Sequence, residues 1–259
     1  MWIDSHNHLQ DRRLGDPAPI IAAMRLAGVE GCVVNATCEE DWENVANLAR
    51  TEVDWVLPAF GIHPWKAHLA RAGWVDRLKD RLEMHPHASV GECGLDQWIA
   101  APGLDIQKPI FDAQLRLARE MGRPVTIHCL KAWGALFEAL TAAPPPSRFL
   151  LHSFNGSFET AQRLIPLGAF FSFSGYFLHQ RKAAVVEVFK RLPLDRILLE
   201  TDAPDMLPPP GIVSHPFDQD LNHPGNLPSI GQALASSLGI PVEELAQITR
   251  ENARRFFGS

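Results

Sequence analysis

MWIDSHNHL, residues 1–9, opens the chain with a short apolar run that ends in two histidines one residue apart. Side chains of a strand alternate between its two faces, so His6 and His8 project together and can grip one ion as a pincer. An H-x-H pair alone is generic. The weight comes from four further residues, Glu92, His128, His152 and Asp202, each of which also closes a short apolar run. In an α/β barrel, catalytic residues come from the C-terminal ends of strands and the loops beyond them. All six would then meet at one mouth.

Working outward, apolar runs that read as strands fall at 2–5, 31–36, 55–61, 88–91, 124–127, 148–151, 169–173 and 196–199. Amphipathic stretches separate them, at 17–27, 38–51, 73–84, 105–121, 132–140, 157–166 and 181–191. Pro17 suits the start and Gly28 the end of the first. Strict strand–helix alternation predicts an α/β fold, a (β/α)8 TIM barrel in regular or distorted form. Extra C-terminal helices are expected at 228–238 and 242–256. No internal repeat or linker divides residues 1–259, so one metal-dependent hydrolase barrel domain is expected. Between Asp202 and those helices, residues 203–226 carry Pro, Gly and Asn too closely for regular structure, which marks a rim segment over the site.

Composition sets the outer limits. With 46% hydrophobic and 21% charged residues the chain is an ordinary globular protein with a core. It has no apolar run of membrane-spanning length and no basic-then-apolar leader, so a cytoplasmic protein without membrane association is expected. Cys32, Cys38, Cys93 and Cys129 lack C-x-x-C spacing and read as free thiols of a reducing compartment. Cys93 and Cys129 each follow a proposed ligand and so face away from it. The net charge is −6, which argues against a protein that coats duplex DNA with a basic surface. Oligomeric state is not legible at this level.

Four imidazoles and two carboxylates suffice for two divalent ions, with Glu92 a natural bridge because a carboxylate has two oxygens to share. Mixed nitrogen and oxygen donors suit Zn²⁺, Mn²⁺, Fe²⁺ or Ni²⁺ better than Mg²⁺. A pair of ions can activate water and clamp both oxygens of a displacement at phosphorus. Glu92 and Asp202 are the candidate catalytic residues; Asp202 orients the water and accepts its proton, or serves as a ligand alone. His63, past the third strand, is placed at the same rim as a substrate-phosphate contact or a further ligand. Ser172 and Ser174 read as polar rim residues. His85 and His87 precede the fourth strand, which puts that H-x-H at the opposite barrel end, without a catalytic role.

The motif set resembles the TatD-type metal-dependent deoxyribonucleases among the amidohydrolase-like barrels. It runs from DSHNHL (4–9) through GIHP (61–64), GECGLD (91–96), PVTIHC (124–129), LHSFNGS (151–157) and LLETDAP (198–204) to ENARRFFG (251–258). That resemblance implies His6, His8, Glu92, His128, His152 and Asp202 as ligands of two Mg²⁺ or Mn²⁺ ions, and hydrolysis of DNA at ends or in single strands. Departures from the pattern are informative. Gln97 and Trp98 follow GLD where the family has an aromatic at once, Leu130 stands where a basic residue is common, and Leu221 and His223 replace charged residues of a later motif. Lys131 becomes the nearest cation for a substrate phosphate. Trp65, Trp98, Trp133 and Tyr176 follow strand ends and either pack in loops or stack on unpaired bases.

Two rival activities use the same chemistry: hydrolysis of a small-molecule amide or ester, and removal of D-amino acids from tRNA. Glu92, at a position where related amide- and triester-cleaving barrels often use a modified Lys, favours the nuclease. A non-catalytic scaffold would have no use for six costly polar residues held in a core.

Overall fold

Eight parallel strands pair in chain order, β1 through β8, in a computed structural model that describes residues 1–258. They are β1 (Trp2–Asn7), β2 (Val29–Asn35), β3 (Val56–Phe60), β4 (Ser89–Asp96), β5 (Val125–Leu130), β6 (Phe149–Leu151), β7 (Ala169–Ser174) and β8 (Ile197–Glu200). The helices are α1 (Pro17–Leu26), α2 (Trp42–Thr51), α3 (Trp74–Met84), α4 (Leu104–Met121), α5 (Trp133–Thr141), α6 (Phe158–Leu164), α7 (Ala183–Phe189), α8 (Leu227–Leu238) and α9 (Val242–Phe257). This is the expected barrel with its C-terminal extension. Among the described residues, no helix is long and apolar enough to cross a membrane.

Local chemistry explains the helix ends. The Asp16 carboxylate accepts the Ala18 N–H and Pro17 holds the first helical position of α1; Ser157 caps α6 through the Thr160 N–H. The helix expected at 157–166 ends earlier, at Leu164, and tightens into a 3-10 turn over Ile165–Leu167 that contains Pro166. Likewise the helix expected at 181–191 begins as a 3-10 turn and is α-helical only over Ala183–Phe189.

The barrel interior is apolar at its N-terminal end and polar at its C-terminal end. Val33, Ala59, Leu150, Phe170 and Leu198 fill the lower layer, and α9 seals it with Phe256 and Phe257. The Asn252 side-chain amide donates to the Leu194 and Ile197 carbonyls, both at 2.8 Å, which fastens α9 beneath β8. At the seam between β8 and β1, the Asp202 N–H donates to the His6 carbonyl and the His8 N–H to that of Ala203. The buried Asp4 carboxylate accepts the Thr201 N–H at 3.0 Å and its hydroxyl at 2.6 Å. A register shift between Asp4 and Asn7 takes Asp4 out of the face that His6 and His8 share.

Two strand boundaries need correction. The fourth strand, expected over 88–91, runs on to Asp96 as β4, pairing Gly94 with His128 and Asp96 with Leu130. A bulge between Val90 and Cys93 carries Glu92 into the barrel mouth. Gly94 sits at φ +147°, with a hypothetical Cβ 1.9 Å from the His128 carbonyl oxygen, so only glycine fits there. The fifth strand likewise extends past 127 to Leu130.

Candidate metal centre

All six expected ligands converge, with Glu92 at the centre. Its Oε2 faces His6 Nε2 at 3.3 Å and His8 Nε2 at 3.4 Å. Its Oε1 faces His152 Nε2 at 2.8 Å, His63 Nε2 at 3.0 Å and His128 Nδ1 at 3.2 Å. Each oxygen of one carboxylate therefore addresses a different set of nitrogens, which is the arrangement a bridge requires. Asp202 approaches the first set, its Oδ1 lying 3.4 Å from His6 Nε2 and 3.6 Å from His8 Nε2. Asp202 stands just beyond β8 at φ +53°, a left-handed conformation uncommon outside glycine and best tolerated by Asp and Asn.

Outer hydrogen bonds decide which ring nitrogen faces inward. His8 Nδ1 lies 2.7 Å from the Asn35 carbonyl, which can only accept, so Nδ1 carries the proton and Nε2 turns a lone pair to the centre. His128 Nε2 lies 2.9 Å from Asp96 Oδ2, leaving Nδ1 inward. Asp96 also accepts the Trp65 indole N–H at 2.8 Å. His63 is different. Its Nδ1 accepts the Trp65 backbone N–H at 3.2 Å, so the neutral ring presents Nε2–H rather than a lone pair to Glu92. By position it could join Glu92 and His128 around an ion, but its hydrogen bonding makes it a donor.

The donor set fits divalent cations. His6 Nε2 and His8 Nε2 approach to 3.3 Å, as do His128 Nδ1 and His152 Nε2. Lone pairs so close to one another and to carboxylate oxygens repel unless a proton or a cation lies between them. Three overlapping groups, His6–His152–Asp202, His6–His8–Glu92 and His63–Glu92–His128, have the spacing to hold an ion.

Electrostatics agree. Burial pushes the Glu92 carboxyl up, but the surrounding His63, His152 and His6 outweigh it and hold it well below the ordinary range. Burial pulls His8 and His152 down, yet the carboxylates facing them raise both well above the usual imidazole value. His63 falls to about 4, chiefly through burial, and is neutral near pH 7. Protons on His8 and His152 therefore occupy positions that a cation would take, and ion binding would displace them.

Two acidic residues beyond the expected set support the centre. Asp96 orients His128, as described. Glu200, fully buried at the end of β8, accepts the Ser153 N–H at 2.7 Å and its hydroxyl at 2.6 Å, along with the Ser172 hydroxyl. Its Oε1 lies 3.7 Å from His152 Nδ1, and Ser153 Oγ reaches Asp202 Oδ2 at 3.4 Å. Ser172 is thus a buried partner of Glu200 rather than a rim residue. The available signal was spacing: E-x-D at 200–202 repeats the logic of H-x-H at 6–8.

Elsewhere, Lys131 is exposed in the loop after β5 at φ +56°, its Nζ 5.3 Å from the Trp98 ring centroid. Trp133 packs edge-on against Phe154, and Tyr176 accepts a hydrogen bond from Arg181. The 203–226 segment borders the site through the bond from His8 to Ala203 and is knit together by Asn222 and Asn226.

A family model described as TatD related DNase matches residues 3–258. A Pantoea ananatis protein (strain LMG 20103) named 3'-5' ssDNA/RNA exonuclease TatD is 32% identical over 247 residues, covering 94% of each chain. A Bacillus subtilis protein (strain 168) named uncharacterized metal-dependent hydrolase YabD is 30% identical over 267 residues, covering 99% of each. The crystal structure of YJJV, a TatD homolog from Escherichia coli K12, superposes with a TM-score of 0.91 at 29% identity, over 100% of this chain and 98% of that one. Matched over almost its whole length by that family's model and by relatives at 30% identity or more, the chain belongs to the TatD related DNase family.

Proposed function

We propose that the protein is a metal-dependent exonuclease that hydrolyses phosphodiester bonds of single-stranded nucleic acid, entering at an end. The observation that carries this reading is the division of Glu92, one oxygen toward His6 and His8 and the other toward His128 and His152. Two divalent cations would be held by those residues and Asp202. When bound they supply activation of water at neutral pH and charge stabilisation at phosphorus. The nitrogen-rich donor set favours Mn²⁺ or Zn²⁺, and the family favours Mg²⁺ or Mn²⁺, so Mn²⁺ satisfies both.

The chain's own residues divide the remaining work. Asp202 accepts the proton of the attacking water, while Glu200 takes the N–H and hydroxyl of the neighbouring Ser153. On substrate binding His63 turns its Nε2–H from Glu92 to a nonbridging phosphate oxygen, a role its neutral state suits, while Lys131 supplies a positive charge at the rim. The relatives named 3'-5' ssDNA/RNA exonuclease support single strands as substrate. Four free cysteines, three of them buried, suit the cytoplasm.

Incubation of the purified protein with end-labelled single-stranded DNA, RNA and a D-aminoacyl-tRNA, each with Mg²⁺, Mn²⁺ or Zn²⁺, tests the reading. Stepwise shortening of the strands is expected. Release of the amino acid with intact strands would replace the nuclease by an esterase.

A further inference from the structure

We infer that Trp65 and Trp98 form a stacking platform for an unpaired nucleobase beside the metal centre, which deepens and rests on the proposed single-strand activity. Of the seven tryptophans, Trp2, Trp42, Trp55 and Trp74 are buried, and Trp133 is half-buried against Phe154. Only Trp65 and Trp98 are exposed, at 49% and 69%. Both are tied to a single carboxylate. Asp96 Oδ2 accepts the Trp65 indole N–H at 2.8 Å, and Asp96 Oδ1 accepts the Trp98 backbone N–H at 2.7 Å.

That carboxylate also bonds His128 at 2.9 Å, so the Trp65 ring and the Trp98 backbone are both anchored to the reacting centre. The Trp65 ring centroid lies 5.2 Å from that of His63 and 6.3 Å from that of His128. Its one polar group is already spent on Asp96. What the exposed indole has left to offer is its π face, and a nucleobase is the part of a single strand that binds such a face irrespective of sequence. Lys131 Nζ lies over one face of the Trp98 ring, 5.3 Å from its centroid, so a base would take the opposite face, with the cation in reach of the adjoining phosphate. Trp98 and Lys131 both occur where this chain departs from the family pattern. An aromatic–cation pair here takes the place of the missing basic residue at Leu130.

The test compares two single strands of equal length, one of ordinary DNA and one built from abasic tetrahydrofuran nucleotides with the same phosphates. KM is measured for wild type, Trp98→Ala, Trp98→Phe and Trp65→Phe. The wild-type protein is expected to prefer the ordinary strand by about tenfold in KM. Trp98→Ala should bring that ratio close to one, and Trp98→Phe should restore most of it. Trp65→Phe, which drops the bond to Asp96 but keeps a ring, should lower the ratio in part. An unchanged ratio in Trp98→Ala, or a loss of kcat that is equal on both strands, would overturn the platform while leaving the nuclease intact. A wild-type protein that cuts the ordinary strand with no preference over the abasic one does the same. If it cuts neither strand with any ion, the nuclease and the platform fall together.

Discussion

Replacing Asp96 with Asn keeps the outline of the side chain and removes the charge against which His128 is set. Four N–H donors converge on this carboxylate, from His128 at 2.9 Å, Trp65 at 2.8 Å, Trp98 at 2.7 Å and Ile99 at 3.4 Å. Burial opposes its charge, yet the bonds from His128 and Trp65 prevail and hold the pKa at about 2, against an ordinary 3.8. After an allowance for solvent screening, that difference corresponds to roughly 2 kcal/mol in favour of the charged form. An amide has a single acceptor oxygen, so at least one donor would face another N–H. Loss of such an orienting partner weakens metal binding about 10- to 100-fold, or about 1.4 to 2.7 kcal/mol, which matches the electrostatic figure. Titration calorimetry with Mn²⁺, beside hydrolysis of single-stranded DNA at graded Mn²⁺, would show the affinity loss, with kcat largely recovered at saturating ion. A variant with lowered melting temperature but wild-type metal affinity would refute the reasoning and leave Asp96 a purely structural residue.

Asp202→Asn removes the proposed proton acceptor while preserving its shape; kcat should fall by at least about 100-fold with the fold retained by circular dichroism, and full activity would remove that role. Lys131→Gln should flatten the salt dependence of single-strand binding by about 0.7 in log–log slope, the share of one phosphate contact; an unchanged slope would mean that Lys131 touches no phosphate. His223 accepts the Gly225 N–H through Nδ1, and its pKa is lowered to about 4, first by burial and then by His215. Because the unfolded chain binds this proton more readily, its contribution is complete above about pH 6.5 and is lost as pH falls toward 4. Urea unfolding of the metal-free protein at pH 7 and pH 4 should show about 2 kcal/mol less acid destabilisation in His223→Gln than in wild type. Equal losses would place the acid sensitivity elsewhere. Phe256→Ala opens the lower barrel layer where α9 meets Phe170; about 3–5 kcal/mol of stability should be lost in denaturant unfolding, and a loss below about 1 kcal/mol would deny α9 its sealing role.

Strand order and all six central residues were legible because each apolar run is short, buried on both faces and ends on a residue type rare in a core. The β4 boundary was not. Gly91 and Gly94 look like turn signals, yet Gly94 is there because β4 passes the His128 backbone too closely for any Cβ. The inward aim of Glu92 follows from a bulge, which spacing alone does not announce. Asp96 and Glu200 were hidden for a different reason. Their importance lies in the side chains they hold, His128 and Ser153, and such partnerships appear only once the strands are side by side. The inward tautomers of His8 and His128 depend likewise on Asn35 and Asp96 across the neighbouring strands.

Whether Glu92 joins two cations is tested most directly by counting them. Equilibrium dialysis against Mn²⁺, followed by elemental analysis of wild type and Glu92→Ala, should find two ions per chain in the first and at most one in the second. Hydrolysis of single-stranded DNA should be lost in step. Two ions in both proteins, or full turnover by Glu92→Ala, would contradict a centre built around that carboxylate.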